Sequence, residues 1–283
     1  VTLGFSDKLL ALVFFQTLVN LLSILIFYPF LGRLSHFLES RNSRNEEETS
    51  FIHRSDLQLP QAALMALDNE SRTFIRMVLQ YAQEGFQLKD SSCHDLTVKK
   101  RYQSMSVHEK YEHLKYLYGD IHGFCIRLHQ QVLIPEEAAR LERLVAAIRN
   151  AMYAAKSIKD ALPDMYQLEH SSNDIKFAFY GQTRATLIQF SQKACPMLVP
   201  AHLAKVEELA DIYHSVTAGY AATVQEFYKE NTAGGLSETE ITTLLNFNRE
   251  IYTAFKSFVF AMKDCLFDKK EAAYFDELPG FIR

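Results

Sequence analysis

The sequence of 283 residues is poor in glycine and proline, with 10 and 7 residues respectively, and it contains no strand-length run with a period-two pattern of Val, Ile and Thr. Apolar residues instead recur at intervals of three and four positions, the periodicity of an amphipathic helix. Hydrophobic residues make up 48% of the chain, which is enough for a sizeable core and too many for a disordered protein. The composition therefore predicts an all-α fold.

The chain also lacks an excess of positive charge. Its 30 Lys and Arg residues stand against 34 Asp and Glu residues, and the formal net charge is -4. A protein that binds nucleic acid needs a cationic face to neutralise phosphates. We therefore expect no nucleic acid among its partners.

Cysteine is scarce, and its spacing carries no recognisable pattern. Four cysteines lie far apart and form no CxxC pair: Cys93, Cys125, Cys195 and Cys265. Such spacing favours neither a zinc site nor a disulfide framework. We expect four reduced thiols in a cytosolic compartment.

Motifs of catalysis are missing as well. The sequence contains no glycine-rich phosphate loop, no G-x-S-x-G turn and no context for a Cys/His nucleophile. The stretch "HEKYEH" differs from the zinc-protease motif, because His108 and His113 are five positions apart and point to different helix faces. We expect no enzymatic activity, no catalytic residue, no cofactor and no metal site.

One segment has no charged side chain at all over 23 positions, from Leu9 to Leu31. As a helix it would rise about 34 Å, which covers a hydrocarbon core of about 30 Å. The segment therefore predicts a transmembrane helix. A signal peptide is disfavoured because the basic start and the small-residue cleavage site are missing. A buried helix of a soluble domain stays an alternative, because the segment contains four polar residues: Gln16, Thr17, Asn20 and Ser23.

Three of these polar residues, Gln16, Asn20 and Ser23, follow four-three spacing and share one helix face. An amide in hydrocarbon is costly unless a partner bonds to it, so we expect other transmembrane helices to pack on this face. The chain begins at Val1 without methionine, which fits the tail of a longer multi-span protein. The alternative is that the bilayer tolerates the two amides.

Basic residues near the two ends of this segment indicate its orientation. Lys8 stands alone on the N-terminal side, whereas Arg33, Arg41 and Arg44 follow on the C-terminal side. Cytoplasmic flanks carry the excess of Lys and Arg. We expect the bulk of the chain to lie in the cytoplasm.

The remainder of the chain is predicted to form an antiparallel helical bundle. We assign residues 1–40 to the membrane helix and its cytoplasmic extension, 41–60 to a polar linker, 61–270 to the bundle and 271–283 to a tail. Six helices are predicted in the bundle, at about 61–88, 106–130, from Pro135 to 162 or beyond Pro163, 172–194, 200–230 and 237–268. The last helix opens with an S-x-x-E capping box of Ser237 and Glu240.

Polar residues interrupt two of the apolar stripes in this bundle. Asn248 falls within the stripe of the sixth helix, and Lys159 and Asp160 lie beside the stripe of the third. We interpret the three residues as a polar contact that fixes the geometry between the bundle halves or docks a membrane core. The alternative is a satisfied core amide together with a lysine that reaches out to water.

The residues "FFQTLVNLLSILIFYPFLGRLSHFLE" resemble the last transmembrane helix of bacterial sodium-phosphate cotransporters. Three later stretches resemble the PhoU-like domain at the C-terminus of these transporters: "RNAMYAAKSIKDAL", "SSND" and "TLLNFNREIYTAFKSFVFAMKDCL". Together these stretches extend from position 14 to position 266, so the resemblance spans nearly the whole chain. In this resemblance Asn20 matches the family's helix asparagine, and Gln16 stands where histidine is common.

The resemblance implies the C-terminal region of a sodium-dependent inorganic phosphate transporter of the bacterial inner membrane. Its cytoplasmic PhoU-like bundle, made of two three-helix halves, would regulate or stabilise a transport core encoded upstream of Val1. The implied partners are the membrane, that N-terminal core, and sodium and inorganic phosphate through it, and a homodimer is left open. Metal binding by stand-alone PhoU proteins is not carried over, because basic and amide residues replace the acids. The alternative is a membrane-anchored helical signalling or scaffold protein without transport activity.

Overall fold

The computed structural model describes residues 8–42, 49–88, 100–200, 202, 204–233 and 235–276. All regular structure in these ranges is helical, which confirms the predicted all-α class. The chain divides into two compact units, Val1–Glu47 and Glu48–Arg283.

The first unit is built on one long helix, α1, at Lys8–Asn42. Its segment Leu12–Arg33 is strongly apolar, and its side chains are exposed. By length and composition this helix can cross a membrane. The same exposure argues against a buried core helix, which would hide its apolar side chains.

The second unit contains the six long helices that the periodicity predicts. They are α2 at Pro60–Gly85, α4 at Val107–His129, α5 at Pro135–Glu169, α6 at Asp174–Met197, α7 at Val206–Ala233 and α8 at Glu238–Leu266. The described ranges of this unit also contain three short helices. They are a 3-10 turn at Ile52–Arg54 before α2, α3 at Lys100–Ser104 between α2 and α4, and α9 at Lys269–Asp276 after α8. The 3-10 turn lies in the predicted linker, and α9 extends into the predicted tail, of which residues 277–283 lie outside the described residues.

Side-chain caps start three of these helices where the sequence places them. Ser237 accepts from the Glu240 backbone N–H while the Glu240 carboxylate accepts from the Ser237 backbone N–H at 2.9 Å, which confirms the predicted capping box. Ser106 and Glu109 form a second box at α4. Asn173 Oδ1 accepts from the backbone N–H of Ile175 at 3.0 Å and so caps α6.

Two predicted helix boundaries are wrong. The fourth predicted helix was expected to end before Pro196, but α6 continues through Pro196 to Met197. A proline so near the C-terminus removes a single backbone hydrogen bond, and the helix tolerates that loss. The fifth was expected from 200, whereas α7 begins at Val206.

In chain order the six long helices fall into a first half, α2, α4 and α5, and a second half, α6, α7 and α8, which contact each other through several helix pairs. The most extensive contact joins α5 to α8, which places these two helices at the centre of the bundle. They run antiparallel, because Arg140 near the start of α5 reaches the carbonyl oxygen of Cys265 near the end of α8. Aromatic rings fill the second half, where Phe179 on α6 lies 5.7 Å from Phe247 on α8.

The residues before α2 are held to the bundle by a buried carboxylate. Glu70 on α2 is 1% exposed, and its Oε2 accepts backbone hydrogen bonds from Ser50 at 2.9 Å and from Phe51 at 2.7 Å. Burial raises the pKa of Glu70, and the backbone N–H groups limit that rise because they favour the carboxylate.

The expectation of four reduced cysteines is wrong. Cys195 on α6 is disulfide-bonded, whereas Cys125 and Cys265 are free and buried. Sequence spacing carries no information on which thiols the fold brings together, so this pairing had no local signal.

Candidate functional site

The polar face predicted on α1 contains two kinds of side chain. Gln16 Nε2 donates a long hydrogen bond of 3.5 Å to Asn20 Oδ1. Ser23 Oγ instead donates to the backbone oxygen of Val19 at 2.8 Å, so its donor is used within its own helix. Gln16 Oε1 and the Asn20 amide group remain for a partner helix. The role of this face in membrane packing stays a prediction.

Lys159 and Asp160 lie together on the side of α5 that faces α4. Lys159 Nζ is 3.4 Å from Asp160 Oδ1, with both side chains nearly half exposed, and 5.8 Å from the ring centroid of Tyr111 on α4. The pair therefore belongs to the first half of the bundle.

Asn248 lies apart from that pair, on α8. The residue is 8% exposed, so its predicted burial is confirmed. Its Nδ2 has no hydrogen-bond partner among the described residues, and no hydrogen bond joins it to Lys159 or Asp160. A contact that joins all three residues therefore stays a prediction.

A buried polar cluster that the sequence analysis missed lies inside the first half. Lys110 is 1% exposed and forms an ion pair with Glu84 of α2. Its Nζ also lies 5.1 Å from the ring centroid of Tyr102, whose hydroxyl donates to the backbone oxygen of Met77 at 3.0 Å. Each charge has a partner, so the cluster orders α2, α3 and α4 and leaves no group for a ligand.

A groove of about 970 Å³ runs along the central helix pair, with α5 and α8 as walls and α9 at one end. This volume lies within the usual range of small-molecule sites. Five of the lining residues are cationic and two are acidic. The groove is therefore positive in a chain whose net charge is -4.

The acidic group at the base of this groove is already engaged. Asp264 Oδ1 lies 3.3 Å from Nζ of Lys263, which is 6% exposed. Asp264 Oδ2 accepts a hydrogen bond of 3.2 Å from Asn150 across the helix pair. Asp264 therefore offsets part of the positive charge, and the excess of five cations over two acids leaves the groove positive.

Four other cations line the groove, namely Arg143, Arg149, Lys256 and Lys269. None of them forms an ion pair among the described residues. The Nε atom of Arg143 is buried and has no hydrogen-bond partner in the described part of the chain. Burial and the neighbouring Arg140 lower the pKa of Arg143, because both disfavour the charged guanidinium, and the carboxylates of Asp268 and Asp264 partly oppose this shift.

Aromatic rings lie among these cations. Tyr153 on α5 is 54% exposed. Tyr252 on α8 stacks on Tyr220 of α7 with ring centroids 4.4 Å apart, so one face of its ring is supported. Lys256 Nζ lies 5.4 Å from the ring centroid of Phe260. The groove is therefore lined by aromatic as well as charged side chains.

The sequence does contain a signal for each wall of the groove separately. Arg143, Ala146, Arg149 and Tyr153 recur at three- and four-residue spacing along α5, and Thr253, Lys256, Phe260 and Lys263 do so along α8. The sequence analysis missed the site because nothing local indicates that the two stripes face each other.

Among the described residues no group of three or more His, Cys, Asp and Glu side chains is arranged to hold a metal ion. No protein-family model, no curated protein and no solved structure matches this chain.

Proposed function

We propose that this chain is the C-terminal region of a sodium-dependent inorganic phosphate transporter, in which the helical bundle regulates or stabilises a membrane transport core. The observation that carries the proposal is helix α1. It is long and apolar enough to cross a membrane and still exposes the amides of Gln16 and Asn20 on one face. The resemblance of the α1, α5 and α8 sequences to these transporters supports the same assignment.

The physical argument concerns the amides. A solitary anchor in lipid needs only apolar side chains, and each amide without a partner is costly in hydrocarbon. Polar side chains in membrane helices commonly hydrogen-bond to neighbouring helices. An α1 that packs against further membrane helices accounts for Gln16 and Asn20, whereas a single anchor does not.

The bundle suits a regulatory role because one helix pair makes most of the contact between its two halves. The contact between α5 and α8 is the most extensive in the unit, and both helices line the groove. A ligand or contact that shifts one helix along the other would change how the halves are arranged. We place the protein in the bacterial inner membrane with this bundle in the cytoplasm, in line with Arg33, Arg41 and Arg44, which follow the uncharged segment Leu9 to Leu31 in sequence.

A second candidate has one specific observation in its favour. Cys195 is disulfide-bonded, and disulfides persist mainly outside the reducing cytosol. This observation favours a membrane-anchored helical scaffold or signalling protein whose bundle faces the oxidising side of the membrane and which has no transport activity.

Uptake of radiolabelled phosphate by vesicles that contain the intact protein tests the first proposal. We expect uptake that requires a sodium gradient and falls when Gln16 and Asn20 are both replaced by Leu. A Ser23→Ala variant is the matched control, because Ser23 bonds to its own helix. Absent or sodium-independent uptake would overturn the proposal.

Fusions at the C-terminus distinguish the two candidates by topology. Green fluorescent protein fluoresces when it folds in the cytoplasm, and alkaline phosphatase is active only on the oxidising side. The first candidate predicts fluorescence without phosphatase activity. Phosphatase activity together with an intact Cys195 disulfide would favour the second.

A further inference from the structure

We propose that the groove between α5, α8 and α9 binds a nucleotide, a ligand that joins a phosphate chain to an aromatic base. This inference goes beyond the proposed function and does not depend on transport. It rests on the charges that line the groove, on the aromatic rings among them and on the size of the groove.

The charge argument starts from the excess of cations over acids, five against two, among the residues that line the groove. Arg149, Lys256 and Lys269 form no ion pair among the described residues, and the Arg143 Nε atom is buried without a hydrogen-bond partner there. Of the two acids, Asp264 contacts Lys263 and Asn150, and Glu142 is exposed. Cations that face one another raise the energy of the empty groove, and an anion with several charges relieves that repulsion.

The spread of these cations favours a phosphate chain over a single small anion. Arg143 and Arg149 are six residues apart on one helix, a rise of about 9 Å, and Lys256 and Lys269 lie on the opposite wall and at the end of the groove. Guanidinium groups hydrogen-bond to phosphate oxygens in a two-pronged geometry, and lysine ammonium groups bind phosphate as point charges. A linear polyphosphate can reach cations on both walls.

The aromatic rings account for the other part of the ligand. The Tyr153 ring is 54% exposed at the groove, and the Tyr252 ring is held in place from behind by Tyr220. Nucleobases stack on exposed aromatic rings with little dependence on the base. A volume of about 970 Å³ accommodates a nucleotide with both parts in place.

Isothermal titration calorimetry with ATP, using the full chain in detergent micelles, tests the proposal. We expect saturable binding that weakens with added salt because the contacts are ionic. A Lys256→Gln/Lys269→Gln variant is expected to bind about ten-fold more weakly, since it loses two charge-assisted contacts. Lys193→Gln is the matched control, because Lys193 is exposed on α6 and does not line the groove.

Two further ligands test the two parts of the assignment. Tripolyphosphate is expected to compete with ATP but to bind more weakly, and Tyr153→Ala should weaken ATP without weakening tripolyphosphate. Equal affinity for ATP and tripolyphosphate would show that the adenine base does not stack on the tyrosine rings of the groove. Absence of binding at millimolar ATP, or equal losses in the Lys193→Gln and the double variant, would overturn the site.

A measurement on the unmodified chain guards against variants that fail to fold. Bound ATP should slow the chemical acetylation of Lys256 and Lys269, measured by mass spectrometry of peptides, and leave Lys193 unchanged. If ATP left the acetylation rates of Lys256, Lys269 and Lys193 all unchanged, the proposal would be contradicted, whatever the variants show.

Discussion

Arg140 on α5 donates a hydrogen bond of 2.7 Å from Nη2 to the backbone oxygen of Cys265 at the C-terminal end of α8. Its Nη1 donates to the backbone oxygen of Asp264 at 3.3 Å, and the same guanidinium forms an ion pair with Asp68 of α2. The last carbonyl groups of a helix have no donors within the helix. One side chain therefore supplies those donors and links α2, α5 and α8.

Replacement of Arg140 by Met is expected to lower the free energy of unfolding by about 2 kcal/mol, because charge-assisted hydrogen bonds to two carbonyl groups are lost and Asp68 loses a partner. Urea unfolding of the chain in micelles, followed by circular dichroism, measures the change. Arg149→Met is the control, since Arg149 is an exposed arginine on the same helix that forms no ion pair among the described residues. Equal unfolding midpoints for the two variants would contradict the role of Arg140.

Glu70 is expected to hold the segment before α2 in place. A Glu70→Gln substitution removes the negative charge and one of the two oxygens that now accept from the backbone N–H groups of Ser50 and Phe51. The weaker neutral bonds and the misplaced NH₂ donor should cost about 1–3 kcal/mol and release the segment locally. Amide hydrogen exchange at Ser50 and Phe51 should become at least about ten-fold faster. Glu112→Gln, at an exposed ion pair with Lys115, is the control and should leave exchange at Ser50 and Phe51 unchanged. Exchange in Glu70→Gln as slow as in the unmodified chain would contradict the role of Glu70.

Glu240 is expected to make the stability of the bundle depend on pH. Its hydrogen bonds with Lys176 and with Ser237 lower its pKa from 4.5 to about 2. Because the folded state favours the charged form, the stabilisation is present above the ordinary value of 4.5 and is lost as the pH falls towards 2. Urea unfolding across this window should show a weaker pH dependence in Glu240→Gln than in the unmodified chain.

The control for this prediction is Glu238→Gln, two residues earlier on α8, which should keep the pH dependence of the unmodified chain. Added salt should reduce the difference between Glu240→Gln and the unmodified chain, because the pair with Lys176 is exposed enough to be screened. Parallel pH profiles for Glu240→Gln and the unmodified chain would contradict the assignment.

Features fixed by local spacing could be predicted from the sequence. The Ser237 and Glu240 box and the burial of Asn248 follow from positions three or four residues apart, where one helix face decides the outcome. The contact between Arg140 and Cys265 joins residues 125 positions apart, and the disulfide of Cys195 depends in the same way on tertiary packing. No periodicity encodes such pairs, and the groove was missed for this reason.

The last prediction concerns the amides of α1. Gln16 and Asn20 satisfy only part of each other's hydrogen-bonding capacity through their 3.5 Å bond, so copies of the chain in lipid vesicles should associate through this face. Gln16→Leu/Asn20→Leu should weaken that association by about 1 kcal/mol, the usual size of such contacts in membranes. Förster transfer between labelled copies at several lipid dilutions measures the association constant.

Ser23→Ala tests whether the amides alone are responsible. The Ser23 hydroxyl already donates to the backbone oxygen of Val19 at 2.8 Å, so its removal should leave the association nearly unchanged. Any polar side chain on α1 would serve equally well if general polarity drove the contact, and Ser23→Ala would then weaken it as much as the amide variant does. If Ser23→Ala and Gln16→Leu/Asn20→Leu lost the same association free energy, the two amides would have no specific role in the contact. The inference that α1 packs against further membrane helices would then lose its basis.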